Sequence, residues 1–340
     1  VTTATPRFGH VRASLSAGAE TSVPGLVSVV IPCFNAEPFV AAAIDSALAQ
    51  THPDVEVIVV DDGSTDGSLE VIRSYGSRIA CITGPNAGAC AARNDGLEAS
   101  RGEFVQFLDA DDVLFPDAVE RRLAAFTPEV GSVFGERVPV DACGAPTAGY
   151  ASPHPARGWE HIGWIPYAIA TNIHTLEPLH RRSWACRVGG FDEAFPQSQE
   201  PDFHVRLLLE GCAFHYLPGA IGGFRQHPAA GRVSAARWWD TDPDRHLQIV
   251  EHWLSLVARR SPGDVMPQVR RAAARFLSNR AIQAAAGGSA EVARRYVAEA
   301  LRLCPGYRPA GVTGAVARVV GLWPAVAAAG LARRIRTQRG

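Results

Sequence analysis

Apolar residues in the first third of the chain fall into short runs separated by longer amphipathic stretches. Residues 26–31, 55–60, 79–83 and 104–108 are brief, rich in β-branched and aromatic side chains, and bounded by turn formers. That pattern predicts buried strands of a covered sheet. Between the first two, Phe39, Ala43, Ile44, Ala47 and Leu48 share one helical face. Asp66 can cap a helix running to about Tyr75, and an Ala-rich helix over residues 88–100 carries Arg93 and Asn94. Strand and helix alternate from Leu26 to about Phe126, which predicts right-handed crossovers and a mostly parallel α/β sheet. Residues 1–25 have no sustained apolar period and no apolar core of the signal-peptide kind, and read as a mobile tail.

The polar residues that matter stand where these strands end. Residues 104–108 run straight into Asp109, Asp111 and Asp112, and residues 55–60 into Asp61 and Asp62. Isolated carboxylates cannot stay inside a buried strand, so they belong at the strand exits, where open α/β sheets bind ligands. If the chain stays extended, Asp109 and Asp111 share one face and Asp112 points elsewhere. Two acidic oxygens on one face suit a hard divalent cation carrying a phosphate. Asp112, or Asp117 beside Pro116, serves equally well to start the next helix.

Further along, residues 127–179 hold Pro, Gly and Trp with little periodicity, and residues 130–140 supply strand beyond the parallel core. Trp159 and Trp164 suit either a sugar face or ordinary packing. Pro201 fits the first turn of a helix that turns Phe203, Leu207 and Leu208 inward, with Glu200 at its N-cap and Asp202 in its first turn. Acids there also complement the helix dipole without any further role. Residues 213–217 and 220–225 read as two short strands, and residues 242–259 and 267–286 as helices. Ala293, Tyr296, Ala300, Leu301, Leu303 and Pro305 faintly resemble one helix of a tetratricopeptide unit, and one copy makes no array. Residues 310–332 carry only Arg318 as a charge and are broken at Pro324. They predict either an amphipathic helix at a membrane surface, with Arg333, Arg334, Arg336 and Arg339 near anionic lipid, or a helix packed on the protein.

Composition narrows the picture. Of 340 residues, 47% are hydrophobic and 20% charged, and the formal net charge is -1; this is ordinary for a globular protein and gives no electrostatic case for nucleic acid. All 33 basic residues are Arg, which reads as codon usage of a GC-rich genome. Seven Cys with no Cys-x-x-Cys predict buried, reduced thiols in a cytoplasmic protein and no zinc.

Four motifs in order, Val29-Val30-Ile31-Pro32-Cys33-Phe34-Asn35, Val59-Val60-Asp61-Asp62-Gly63-Ser64-Thr65-Asp66, Asn86-Ala87-Gly88 with Ala92-Arg93-Asn94, and Leu108-Asp109-Ala110-Asp111-Asp112, resemble family-2 inverting glycosyltransferases of the A-type nucleotide-sugar-binding fold. The resemblance implies a hexosyltransferase-like enzyme that moves a sugar from a nucleotide-sugar donor, UDP-linked, to a glycan or lipid-linked acceptor in cell-surface glycan assembly, at the inner face of the membrane. It implies that Pro32 with its neighbours Phe34 and Asn35, and Asp62, hold the nucleobase. Asp109 would meet the ribose, Asp111 a Mn²⁺ or Mg²⁺ ion, and Arg93 the base or diphosphate. Asp61 would either touch the ligand or be a structural carboxylate satisfied by turn amides, and Arg93 could instead form a surface ion pair. Further on, Gln199-Glu200-Pro201-Asp202 resembles the family's Glu-Asp-x-Asp, with Gln and Glu replacing its first two acids; this puts Glu200 at the general base and Asp202 on helix amides or the acceptor. His227 resembles the family's metal-side histidine, or is a surface residue. The implied domains are a tail (1–25), a nucleotide-sugar-binding half (26–126), an acceptor half (127–235) and a helical C-terminal extension (236–340). A non-catalytic nucleotide-sugar-binding protein and a nucleotidyltransferase are the alternatives; the latter lacks its Gly-rich basic loop. Without a Gln-x-x-Arg-Trp motif or a set of spanning helices, a processive synthase is disfavoured.

Overall fold

The computed structural model describes residues 9–17, 22–141, 143–147, 163–171, 173–195, 197–225, 238–261 and 265–307. The chain divides into two compact units, Val1–Trp159 with Asn172–Ser234, and Glu160–Thr171 with Ala235–Gly340. Residues 160–171 thus group with the C-terminal helices rather than with the acceptor half in which the sequence places them.

The first unit is built on eight strands among the described residues: β1 (Val23–Cys33), β2 (Val55–Asp61), β3 (Ala80–Thr83), β4 (Gly102–Phe107), β5 (Val113–Leu114), β6 (Val130–Val140), β7 (Pro178–Arg181) and β8 (Ala213–Arg225). Their order in the sheet is β3-β2-β1-β4-β7-β6-β8-β5. The first four are parallel, in register from Val27↔Val55 to Cys33↔Asp61 and from Val27↔Phe104 to Val30↔Phe107. β7 is antiparallel to both β4 and β6, β8 is parallel to β6, and β5 is antiparallel to β8. The sheet curls, because β4 and β5 are joined by residues 108–112 alone yet lie four places apart in its order.

Helices α1 (Ala13–Ala17), α2 (Val40–Leu48), α3 (Ser68–Ser74), α4 (Ala89–Ala99) and α5 (Ala118–Leu123) accompany the N-terminal half. Val29, Ile31, Val57 and Val59 face Val40, Ala43, Ile44 and Ala47 of α2 and Ile72 of α3. Ile58 and Val60 point the other way, onto Ala92 of α4. Both faces are covered, so the strands read as continuous rather than alternating apolar runs. α4 sits directly on β1: a Cβ at Gly96 would lie 2.3 Å from Val30 Cγ1.

The second unit contains α6 (Trp164–Thr171) and the later helices, and the first unit holds α7 (Arg182–Arg187) and α8 (Gln199–Leu209). Helices α9 (Trp238–Thr241), α10 (Arg245–Arg260), α11 (Met266–Ala286) and α12 (Ala290–Leu303) complete the second unit. Its core is aromatic: Trp253 meets Phe276 at 5.1 Å, and Trp238 stacks on Tyr296 at 5.3 Å. Ala293, Tyr296, Ala300 and Leu303 are its buried stripe on α12.

Four sequence expectations change. Gly9–Ala17 is not a mobile tail; it docks on the first unit, with Leu15 buried and Arg12 N donating to Gly189 O at 3.0 Å. The two short strands near residue 217 are one strand, β8, which absorbs Gly219 at φ +103° through register shifts against β6. Residues 109–112 are not extended but close a turn, Asp112 N donating to Asp109 O at 3.0 Å. Ser198, in the left-handed region at φ +59°, is the N-cap of α8, so Glu200 lies inside the helix. Pro201 is then its third residue, still within the turn whose N–H groups have no partner inside the helix. Trp159, His227 and residues 308–340, including the predicted membrane-surface helix, lie outside the described residues. Among those described, no helix is long and apolar enough to cross a membrane.

Candidate active site

The parallel register brings the ends of β1, β2 and β4 to one edge. There the loop after β1 is knitted to the loop after β2. Asn35, at φ +49°, accepts from Thr65 N at 2.7 Å, while its own N–H donates to Ser64 Oγ at 3.0 Å. Ala36 N donates to Ser68 Oγ at 2.8 Å, and Asp62 N to Cys33 O at 2.8 Å. Pro32 is half-buried at the end of β1, and the next ring, Phe34, stands 47% exposed. An apolar ring held out on a tied loop is available to a flat ligand.

The two acids at the end of β2 divide their tasks in the opposite sense to the turn-amide reading of Asp61. Asp62 takes the amides: its two oxygens accept from Ala87 N at 2.7 Å and Gly88 N at 2.9 Å, which fixes the entry to α4. Asp61 is 1% exposed, with Thr83 Oγ1 3.4 Å from Oδ2 and no partner for Oδ1 among the described residues.

Arg93, projecting from α4, is 4% exposed and is no surface ion pair. Its Nη2 donates to Asp109 Oδ1 at 2.7 Å and its Nη1 to Gln199 Oε1 at 2.6 Å, with the Phe191 ring centre 5.3 Å from Cζ. One guanidinium therefore ties the end of β4 to the start of α8. Burial would lower the Arg93 pKa, but the Asp109 and Glu200 carboxylates outweigh it and hold the value up. Burial likewise pushes Asp109 upward, and Arg93, then His174 and Thr175, pull it below the ordinary range.

The turn at residues 109–112 sets which acids meet. Asp109 and Asp112 come together with His174, the three offering ligand atoms within 4.8 Å of one another. His174 Nε2 lies 3.8 Å from Asp109 Oδ2 and its Nδ1 3.8 Å from Asp112 Oδ2. Asp111 is not among the three, so the expected Asp109–Asp111 face is broken by the turn. β8 clamps the turn: Arg225 N donates to Asp112 Oδ1 at 3.0 Å and Arg225 Nε to Asp111 O at 3.0 Å. Thr175 Oγ1 donates to Asp109 Oδ2 at 3.0 Å. The segment bearing His174 and Thr175 is fixed by buried Glu177, which accepts from His174 N at 2.8 Å and pairs with Arg137 at 2.5 Å. Two carboxylates and an imidazole are a donor set that fits Mn²⁺ or Mg²⁺. Sequence reasoning missed His174 and Thr175; their only signal is a polar pair a few residues ahead of a short strand.

On α8 the two acids differ. Asp202 is buried and accepts from Arg206 Nε at 2.8 Å, and Arg206 also bonds Val188 O at 3.0 Å and Gly190 O at 2.7 Å. Glu200 is half-buried, lies within the field of Arg93, and accepts no hydrogen bond from the described residues. An acid already committed to an ion pair is a poor proton acceptor; an uncommitted one is available.

The Asp109–Arg93 pair has a pH signature. Because the folded pKa of Asp109 is depressed, its contribution to stability is complete above the unfolded value near 3.8 and is lost as pH falls through the lower folded value. In urea unfolding without added metal, the advantage of the parent over Asp109→Asn is expected to be flat near neutrality and to shrink below pH 3.8. An advantage independent of pH down to about 2 would show that no such pair forms.

Known proteins share sequence and fold with this chain. Residues 28–188 match the sequence model of glycosyl transferase family 2. A chondroitin synthase of Pasteurella multocida is 32% identical over 196 residues, which is 56% of this chain and 20% of that protein. The chain thus spans about a fifth of the length of that relative. Among solved structures, Staphylococcus aureus TarS 1–349 with UDP-GlcNAc superposes with a TM-score of 0.61 at 19% identity, covering 82% of each chain. The Pyrobaculum calidifontis mannosyltransferase PcManGT, solved with GDP-Man and Mn²⁺, gives 0.53 at 20% identity over 94% of this chain and 84% of that one. At those identities the structures establish the shared fold. Over residues 28–188, the stretch that carries the four strand-end motifs, the chain matches glycosyl transferase family 2.

Proposed function

We propose that the first unit transfers a sugar from a uridine-type nucleoside-diphosphate donor to an acceptor hydroxyl with inversion, Glu200 being the general base. The observation that carries this reading is Glu200: a carboxylate without a hydrogen-bond partner among the described residues, beside a guanidinium that also holds the donor-side Asp109. The relative named chondroitin synthase and the neighbour solved with UDP-GlcNAc support a glycan acceptor and a uridine donor.

In this reading the exposed ring of Phe34, with Pro32 and Asn35, borders the nucleobase, while Asp61, 1% exposed, stays a buried carboxylate at the same strand ends. Asp109, kept ionised by Arg93, accepts from a ribose hydroxyl. The acceptor O–H gives its proton to Glu200 as its oxygen attacks the anomeric carbon from the face opposite the departing diphosphate. Attack through an oxocarbenium-like state needs no enzyme nucleophile, so one base suffices. Asp202 serves by holding α8 through Arg206. The chemistry a bound divalent cation would supply is neutralisation of charge on the departing diphosphate. It would be held at the turn of residues 109–112 by Asp111, the ligand implied by the family motif, together with the Asp109–Asp112–His174 group.

Two measurements test this. Calorimetric titration with UDP is expected to show a Mn²⁺-dependent gain in affinity that Asp111→Asn and His174→Ala each cut by about tenfold or more. A gain unchanged in both variants would remove this turn from the cation site. Glu200→Gln keeps the shape of the side chain but takes no proton, so turnover is expected to fall by about two to four orders of magnitude with donor affinity unchanged. Asp202→Asn is expected mainly to lower stability, by about 1–3 kcal/mol, because it leaves Arg206 short of a charged partner. Full turnover in Glu200→Gln and its loss in a folded Asp202→Asn would exchange the two roles.

A further inference from the structure

Residues 9–17 lie outside the span that matches the family, and nothing in the proposed chemistry uses them. They are nonetheless bound to the acceptor side of the first unit by a dense set of contacts. Gly9 N and His10 N both donate to the buried carboxylate of Asp192, at 2.5 and 3.0 Å, while His10 O accepts from Glu193 N at 3.1 Å. Arg12 then bridges two elements: Nε bonds Glu193 at 2.5 Å in the turn before α8, and Nη1 bonds Asp95 at 2.5 Å on α4. Leu15, 2% exposed, packs where a Cβ on Gly190 would stand 2.8 Å from its Cδ1.

What lies beneath gives the segment its significance. The turn it covers, Gly189-Gly190-Phe191, has both glycines in the left-handed region, at φ +76° and +70°. Asn94 of α4 fills the inside of that turn, accepting from Phe191 N at 2.8 Å and donating to Phe191 O at 2.9 Å. Phe191 stacks on Phe203 of α8 at 4.3 Å and lies under the Arg93 guanidinium. Along this path, Arg12 and Leu15 press on the turn, the turn carries Phe191, and Phe191 touches both Arg93 and the helix bearing Gln199 and Glu200.

We propose that Gly9–Ala17 is a positioning strap: by fastening the Gly189–Glu193 turn to α4, it sets where Glu200 stands relative to Arg93. Arg12 is its positioning residue. The consequence for turnover rests on the assignment of Glu200 above, whereas the mechanical part does not.

The test separates the two. Amide hydrogen exchange on the full chain, without substrate, compares the parent with Arg12→Ala, Arg12→Lys and the milder Asp95→Asn, which weakens the nearer of the two α4 carboxylate contacts of Arg12, Asp95 at 2.5 Å and Glu98 at 3.5 Å, at a half-buried position. Arg12→Ala is expected to speed exchange about tenfold or more through residues 189–203 while leaving β1 and β2 protected. Arg12→Lys should recover part of the protection, and Asp95→Asn should show the same pattern more weakly. If Arg12→Ala loosens only residues 9–17, or loosens the whole sheet equally, the strap is overturned, and so it is if neither Arg12→Ala nor Asp95→Asn alters residues 189–203. Turnover of Arg12→Ala should then fall about ten- to a hundredfold with donor affinity within twofold of the parent, as expected when a catalytic group is misplaced rather than lost. Faster exchange at residues 189–203 with unchanged turnover would leave the mechanical link standing and overturn the assignment of Glu200; unchanged exchange would overturn the strap and leave Glu200 untouched.

Discussion

A buried guanidinium needs its partners, and the site depends on that need. Arg93 is almost wholly out of water, and its two donating ends meet an anion on the end of β4 and an amide oxygen on α8. Leaving such a charge uncompensated costs far more than a surface pair returns, so the two halves of the site are fixed together by the requirement to satisfy one side chain. The position of Arg93 is in turn determined by α4, which lies against β1 at Gly96 and is entered through the amides of Ala87 and Gly88 that Asp62 holds. That Gln rather than an acid stands at position 199 is consistent with this: Arg93 already has one ionised partner in Asp109, and the second contact is neutral.

The same edge shows how a curled sheet concentrates function. β5 and β8 return to the end of β4, and the returning strand supplies Arg225 to the backbone of the turn at residues 109–112. On the other side, the segment before β7 supplies His174 and Thr175. Parallel strand ends provide the acids, at the edge where open α/β sheets generally bind ligands; the antiparallel additions provide the groups that orient them.

Much of the parallel half was legible in the sequence, because β1, β2 and β4 are buried on both faces and appear as largely apolar runs, those of β2 and β4 leading into acids. Glu200 and Arg93 were singled out through their motifs. The geometry around them was not, for identifiable reasons. Whether residues 109–112 run straight or turn is decided by a backbone bond and by Arg225, more than a hundred residues away, so the alternation rule paired Asp109 with Asp111 where the fold pairs it with Asp112. His174 gains its place from Glu177 and Arg137, neither of which has a local signature. Gly9–Ala17 binds through backbone amides, one arginine and one leucine, which leaves no periodicity to read.

The central claim is that a single carboxylate, Glu200, suffices for the chemistry, and stereochemistry tests it most directly without requiring the natural acceptor. The anomer of the sugar released to water from an α-linked UDP-sugar can be caught by proton NMR before mutarotation. Attack assisted by one base predicts that the β anomer appears first. First appearance of the α anomer would mean double displacement or attack from the face of the departing diphosphate, and would contradict the account.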